Sequence, residues 1–162
     1  MKLSGWGRYL STESQPLVFR DTASLAQQVR GRAPLIAFGN GRSYGDSALA
    51  AYHLPMQQLK RMLAFEEATG LLTCEAGVLL ADIIESFLPR GWFLSITPGT
   101  KLITVGGAIA SDVHGKNHHV AGCFSECLDH FLLMLADGSI KRCSREENPE
   151  LFHATCGGMG LT

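Results

Sequence analysis

The sequence predicts an α+β fold, and three observations carry that reading. Leu80, Ile83, Ile84, Phe87 and Leu88 recur at helical spacing, which places them on one face of an amphipathic helix. Leu35–Phe38 is a short continuous apolar run after Pro34, suited to a buried strand. Asp137-Gly138 stands between the segments Phe131–Ala136 and Ser139–Cys143 as a hairpin turn would. Helix-linked and hairpin-linked strands therefore mix in one chain, which excludes a simple repeat of βα units.

Taken in order, Ser4-Gly5-Trp6-Gly7-Arg8 reads as an irregular lead-in. Asp21-Thr22 can cap a helix that carries Leu25 and Val29 on one face and closes at Gly31. The strand at Leu35–Phe38 runs straight into Gly39-Asn40-Gly41-Arg42-Ser43-Tyr44-Gly45-Asp46. Leu63-Ala64-Phe65 and Leu71-Leu72-Thr73-Cys74 flank a turn and predict a hairpin. The helix from Leu80 ends at Pro89-Arg90-Gly91, and Phe93 to Ile96 predicts another short strand. Phe131 to Ala136 and Ser139 to Cys143 are the arms of the Asp137-Gly138 hairpin. Asn148-Pro149-Glu150 starts a last short helix, with Asn as its cap.

A chain of 162 residues suits one domain or two small subdomains. Its net charge of −1 argues against a nucleic-acid partner held through phosphates. No apolar secretory core opens the sequence, and no later stretch predicts an integral membrane segment. The 5 cysteines lack paired CxxC spacing, so reduced thiols and a cytoplasmic location are expected. Gly157-Gly158-Met159-Gly160-Leu161-Thr162 resembles a turn into a new strand, and on that ground the chain is read as a fragment.

Chemistry concentrates in two stretches. From Thr97-Pro98-Gly99-Thr100 through Val105-Gly106-Gly107-Ala108-Ile109-Ala110-Ser111, almost no side chain is bulky and polar. Backbone built from such residues can approach a large ligand closely. His114, Gly115, Lys116, Asn117, His118 and His119 then crowd titratable groups beside it. The alternative is a glycine-rich loop next to a surface histidine patch. In the loop from Gly39 to Gly45, amides can converge on a pyrophosphate, with Arg42 adding charge and Ser43 a hydroxyl. Its third glycine comes one residue too late for a dinucleotide fingerprint, and no Gly-Lys-Ser/Thr follows. By itself such a loop is more often a structural turn. Tyr44 is read either as a residue beside a ligand or as a plug under the loop.

No metal site is expected, because His118 and Cys123 fit no standard zinc pairing and Cys123 and Cys127 have helical spacing. Cys127, Cys143 and Cys156 are expected to be core thiols, Glu66 and Glu67 a solvated turn, and His53, His130 and His153 satisfied structural histidines.

Together these motifs resemble the FAD-binding domain of the vanillyl-alcohol oxidase / p-cresol methylhydroxylase (PCMH-type) superfamily. Three stretches carry the likeness in order: Gly39 to Asp46, then Thr97 to Thr100 with Val105 to Ala108, then Leu151-Phe152-His153-Ala154-Thr155-Cys156-Gly157-Gly158. Glu75-Ala76-Gly77 agrees as well, and the likeness runs from Trp6 to Leu161. Gly107 to His119 is similar to the motif of one subgroup, the FAD-linked sugar oxidases that include the oxidase subunit of decaprenylphosphoryl-ribose 2-epimerase.

The resemblance implies two α+β subdomains, about 1–95 and about 96–162, the second incomplete, with FAD between them. It implies that Gly39, Asn40, Gly41, Arg42, Ser43 and Tyr44 cradle the pyrophosphate. Pro98, Gly99, Thr100, Gly106, Gly107, Ala110, Ser111, His114, Gly115 and Asn117 would line the rest of the cofactor. Arg42 stands where members with a tethered flavin often carry histidine, so the FAD is expected to be non-covalent. The implied reaction oxidises a hydroxyl of a sugar or similar alcohol by hydride transfer to flavin N5, with Lys116 and His114 as catalytic residues. An epimerase-like role would need a partner reductase. The base, the substrate pocket and a cap domain are expected outside this chain, leaving it little turnover of its own. Two other readings compete: a nucleotide-binding module of another class, and a metal-binding interaction domain.

Overall fold

A computed structural model describes every residue from Met1 to Thr162. Strand β1 (Lys2–Ser4) pairs antiparallel with β2 (Ser11–Glu13), so the lead-in is the loop of a hairpin. Strand β3 (Gln15–Pro16) follows, then helix α1 (Thr22–Val29). The Asp21 side chain accepts from the Ser24 amide at 2.7 Å while the Ser24 hydroxyl accepts from the Asp21 amide at 3.0 Å. That reciprocal cap fixes the start of α1 as the sequence predicts.

Strand β4 (Leu35–Phe38) precedes β5 (Tyr52–Pro55), and the two pair in parallel, with β3 parallel on the other side of β5. His53 on β5 is 2% exposed, and its Nδ1 pairs with the Ser14 hydroxyl at 2.8 Å. It is the satisfied structural histidine expected.

Strands β6 (Met62–Glu66) and β7 (Leu71–Cys74) form the predicted hairpin, and helix α2 (Leu80–Phe87) the predicted amphipathic helix. A 3-10 turn at Leu88–Arg90 ends that helix at Gly91, whose φ of 84° is left-handed and suits glycine. Phe93 to Ile96 is a correction to the sequence reading, because it pairs with no strand. Ile96 is 1% exposed and pegs the segment into the core, and the Ser95 carbonyl accepts from Asn117 Nδ2 at 3.0 Å. An apolar peg and a side-chain bond hold this piece in place of a ladder.

Helix α3 (Val105–Ala110) is short, and α4 (His118–Ala121) is a single turn. Strands β8 (His130–Met134) and β9 (Ile140–Ser144) form the second predicted hairpin, followed by α5 (Pro149–Thr155). Asn148 holds the cap position of α5 but not by its side chain, which donates to the Arg142 carbonyl at 2.8 Å. Its φ of 49° turns the chain off β9 instead.

Two apolar clusters form. Val78, Leu80, Ile83, Phe87, Ile96, Ala108 and Phe124 pack as one, and Leu17, Phe19, Leu25 and Leu54 as the other. Full burial of a side chain such as Leu80 or Ile96 contributes about 1.5–3 kcal/mol. The result is α+β, with small sheets and short helices around two cores.

Candidate functional site

The two stretches singled out in the sequence lie against each other. A Cβ added to Gly39 would sit 2.7 Å from Thr104 Oγ1, so the Thr104 side chain packs onto residue 39 only because that residue is glycine. Asn40 Nδ2 donates to the Leu102 carbonyl at 2.8 Å, and Asn40 Oδ1 accepts from Gln57 Nε2 at 2.6 Å. Thr104 is 2% exposed, and its hydroxyl caps α3 by accepting from the Gly107 amide at 3.1 Å.

Loop 39–46 leaves its backbone donors free. No backbone N–H from Gly39 to Asp46 donates to a protein acceptor, although residues 39–43 are half-buried. The amides of Gly99, Thr100 and Lys101 are free as well. Arg42 Nε is buried without a hydrogen-bond partner, and the Arg42 guanidinium stacks 4.7 Å from the Trp6 ring centroid. Buried donors of this kind nearly always have a partner. Tyr44 is 81% exposed, which removes the plug reading and leaves its ring free at the loop's outer edge.

The second stretch is not one smooth backbone bed, since Val105 to Ala110 coil into α3. Coiling lets the peptide groups bond internally and turns the small residues to packing. A Cβ on Gly106 would lie 3.0 Å from the Ala76 Cβ, so the Glu75-Ala76-Gly77 turn seats against α3. Ala110 accepts the Met159 amide at 2.7 Å, which docks the final glycine turn on the C-terminal end of α3. Ser111 is exposed there. Gly115 is buried against Thr97: a Cβ would lie 2.8 Å from the Thr97 carbonyl oxygen. Pro98, Gly99 and Thr100 therefore run beside the His114–Asn117 rim, with Gly99 open on its free face.

On that rim His114, Lys116, Asn117, His118 and His119 are all exposed. His114 and His118 stack edge-on at 5.4 Å between ring centroids, and His118 and His119 at 5.9 Å. His114 bridges to Cys123 through the backbone. Yet no group of three His, Cys, Asp or Glu side chains comes together in a way that could hold a metal ion.

Other expected residues need correcting. Cys127 lies at the surface, because its short turn faces outward beside Glu126, and is not a core thiol. His130 is exposed but satisfied, pairing with Asp129 at 2.7 Å, whereas His153 sits on the outer face of α5 and makes no side-chain hydrogen bond. Cys143 is 0% exposed and meets the expectation, while Cys156 is half-buried. Burial pushes the thiols of Cys74 and Cys156 up to about 11, with Glu75 and Asp112 respectively adding to the rise. Both stay protonated and poor nucleophiles at neutral pH.

Sequence reasoning missed Trp6 and Thr104. The Thr-x-x-Gly spacing before a small-residue run was the available signal for the cap at Thr104. Nothing local marked Trp6.

Comparison with known proteins names a family and a cofactor for the chain. Residues 21–144 match the family described as FAD binding domain, and the chain belongs to it. Its cofactor is FAD. Across 99% of its length the chain is 37% identical to decaprenylphosphoryl-beta-D-ribose oxidase of Mycolicibacterium smegmatis, covering 37% of that protein. It is 30% identical to L-gulonolactone oxidase of Mus musculus over 88% of the chain and 33% of that enzyme. It is 31% identical to the Delta(24)-sterol reductase of Homo sapiens over 65% of the chain and 21% of that enzyme. The chain is thus an FAD-binding domain, spanning roughly a third of the length of the two oxidases. No helix is long and apolar enough to cross a membrane.

Proposed function

We propose that this domain serves an enzyme that oxidises a hydroxyl of a sugar or similar alcohol, with FAD held without a covalent bond between two α+β subdomains, about 1–95 and about 96–162. The observation that carries the reading is the row of unpaired donors where the two stretches meet: the amides of 39–46 and 99–101 with Arg42 Nε among them. A diphosphate fits that set, being an acceptor with several oxygens and a charge that Arg42 complements. Gly39, Asn40, Gly41, Arg42, Ser43 and Tyr44 would hold it. Pro98, Gly99, Thr100, Gly106, Gly107, Ala110, Ser111, Gly115 and Asn117 would line the remainder. A metal-binding interaction domain gains no support from the scattered histidines and cysteines.

When bound, FAD supplies a two-electron acceptor at its N5. This chain's residues would do the rest by charge and position. The exposed ammonium of Lys116 would hold the substrate oxygen and stabilise the negative charge that grows as the hydroxyl proton leaves. His114, set edge-on against His118, would donate a hydrogen bond beside the flavin. The names of the two oxidase relatives, a decaprenylphosphoryl-ribose oxidase and a gulonolactone oxidase, support a sugar-like substrate. An epimerase role would add a partner reductase that returns the keto product.

The test is anaerobic addition of sugars and simple alcohols to the FAD-loaded full-length protein. Bleaching of the flavin absorbance by a sugar supports the reading. Bleaching by NADH alone, with no sugar active, would replace it with a reductase.

A further inference from the structure

Trp6 belongs to neither apolar cluster and is 51% exposed, so core packing does not account for it. It sits in the loop of the β1–β2 hairpin, and that loop grips the glycine loop in three places. The Trp6 amide donates to the Ser43 carbonyl at 2.8 Å. Gly5 presses so closely that an added Cβ would lie 2.7 Å from the Ser43 carbonyl oxygen and 2.8 Å from that of Gly45. The indole itself lies under the Arg42 guanidinium, 4.7 Å from the ring centroid. Arg42 makes no hydrogen bond to another protein group, and its Nε is buried.

A free arginine side chain spreads over many rotamers, and ordering it on binding costs free energy. Stacking on a flat π face removes that cost beforehand while leaving the guanidinium N–H groups unspent. We propose that Trp6 is a positioning residue for the cofactor: its indole holds Arg42 ready for the diphosphate, and the Gly5–Trp6 backbone holds the loop that carries it. This rests on the reading of the Gly39 loop as the diphosphate site. Neither the distance between the two segments in sequence nor any motif in the lead-in gives Trp6 this role. The stacking geometry does.

The experiment is a double-mutant cycle read as the FAD dissociation constant of the apoprotein, by quenching of flavin fluorescence. Trp6→Phe keeps a π face and should stay within about twofold of the parent. Trp6→Leu should weaken FAD about five- to tenfold. Arg42→Ala should weaken it more, and Trp6→Leu should then add nothing in the Arg42→Ala background. If Arg42→Ala weakens FAD and Trp6→Leu does not, the inference falls and the loop assignment stands. If Arg42→Ala has no effect, the loop assignment falls and takes the inference with it. Equal weakening by Trp6→Leu in both backgrounds would show that Trp6 acts other than through Arg42, which also overturns the proposal.

A second readout leaves Trp6 intact. The chain has 2 tryptophans, so the Trp6 indole N–H resonance is assignable by difference. FAD should shift it in the parent protein and far less in Arg42→Ala. No shift in the parent protein counts against the proposal.

Discussion

Gly39→Ala probes the seam between the two stretches. The new methyl would lie 2.7 Å from Thr104 Oγ1 and 3.5 Å from its Cγ2. Thr104 has little freedom to yield, because it is 2% exposed and its hydroxyl is committed to the Gly107 amide at 3.1 Å. Moving that hydroxyl loses the cap of α3, about 1 kcal/mol. Crowding a packed contact adds roughly 1–2 kcal/mol. Gly39→Ala should therefore destabilise by about 2–3 kcal/mol. Thr104→Ala alone loses the cap, about 1 kcal/mol. In the double variant the methyl occupies the space the hydroxyl has left, and the total falls to roughly 1 kcal/mol rather than a sum of 3–4. Urea unfolding of the four proteins measures this coupling, provided the slope with denaturant is unchanged. Additivity within about 0.5 kcal/mol would refute the claim that the glycine loop and the α3 cap are one packed unit.

Two further predictions concern titration and catalysis. Burial, and secondarily the nearby N-terminal ammonium, holds His53 below its ordinary value of 6.5. The native state thus binds fewer protons there than the unfolded chain. Stability should be full above about pH 6.5 and fall as the pH drops below it, until the native imidazole itself protonates. Urea midpoints between about pH 7.5 and 5.5 should show the decline, and His53→Gln should remove it; a flat profile would contradict the burial argument. Lys116→Ala in the full-length protein should lower turnover roughly ten- to hundredfold and leave bound flavin unchanged. Unchanged turnover would remove Lys116 from the chemistry.

Where residues act on near neighbours, the sequence was readable. The helix cap at Asp21, both predicted hairpins and the α2 stripe depend on contacts within a few positions, and all appear in the structure. The misses share one physical cause. Whether Phe93 to Ile96 is a strand depends on a neighbouring ladder, and whether Cys127 is buried or His153 finds a partner depends on what packs above it. Strand β5 was overlooked for the same reason, since its parallel partners β3 and β4 both lie well before it in sequence. The candidate site was legible as two motifs. What the sequence left unsaid is that Asn40 and Leu102 bond directly, and that a tryptophan from the first hairpin lies under Arg42.

On the proposed reading the domain holds FAD by contact alone. The direct measurement is the visible spectrum of the purified protein after loading with FAD and desalting, repeated on the supernatant and pellet of an acid precipitation. Flavin held in this way gives a spectrum that travels with the native protein and passes wholly to the acid supernatant. Flavin that stays with the pellet would contradict the reading of Arg42, and a full-length protein that retains no flavin would contradict the claim itself.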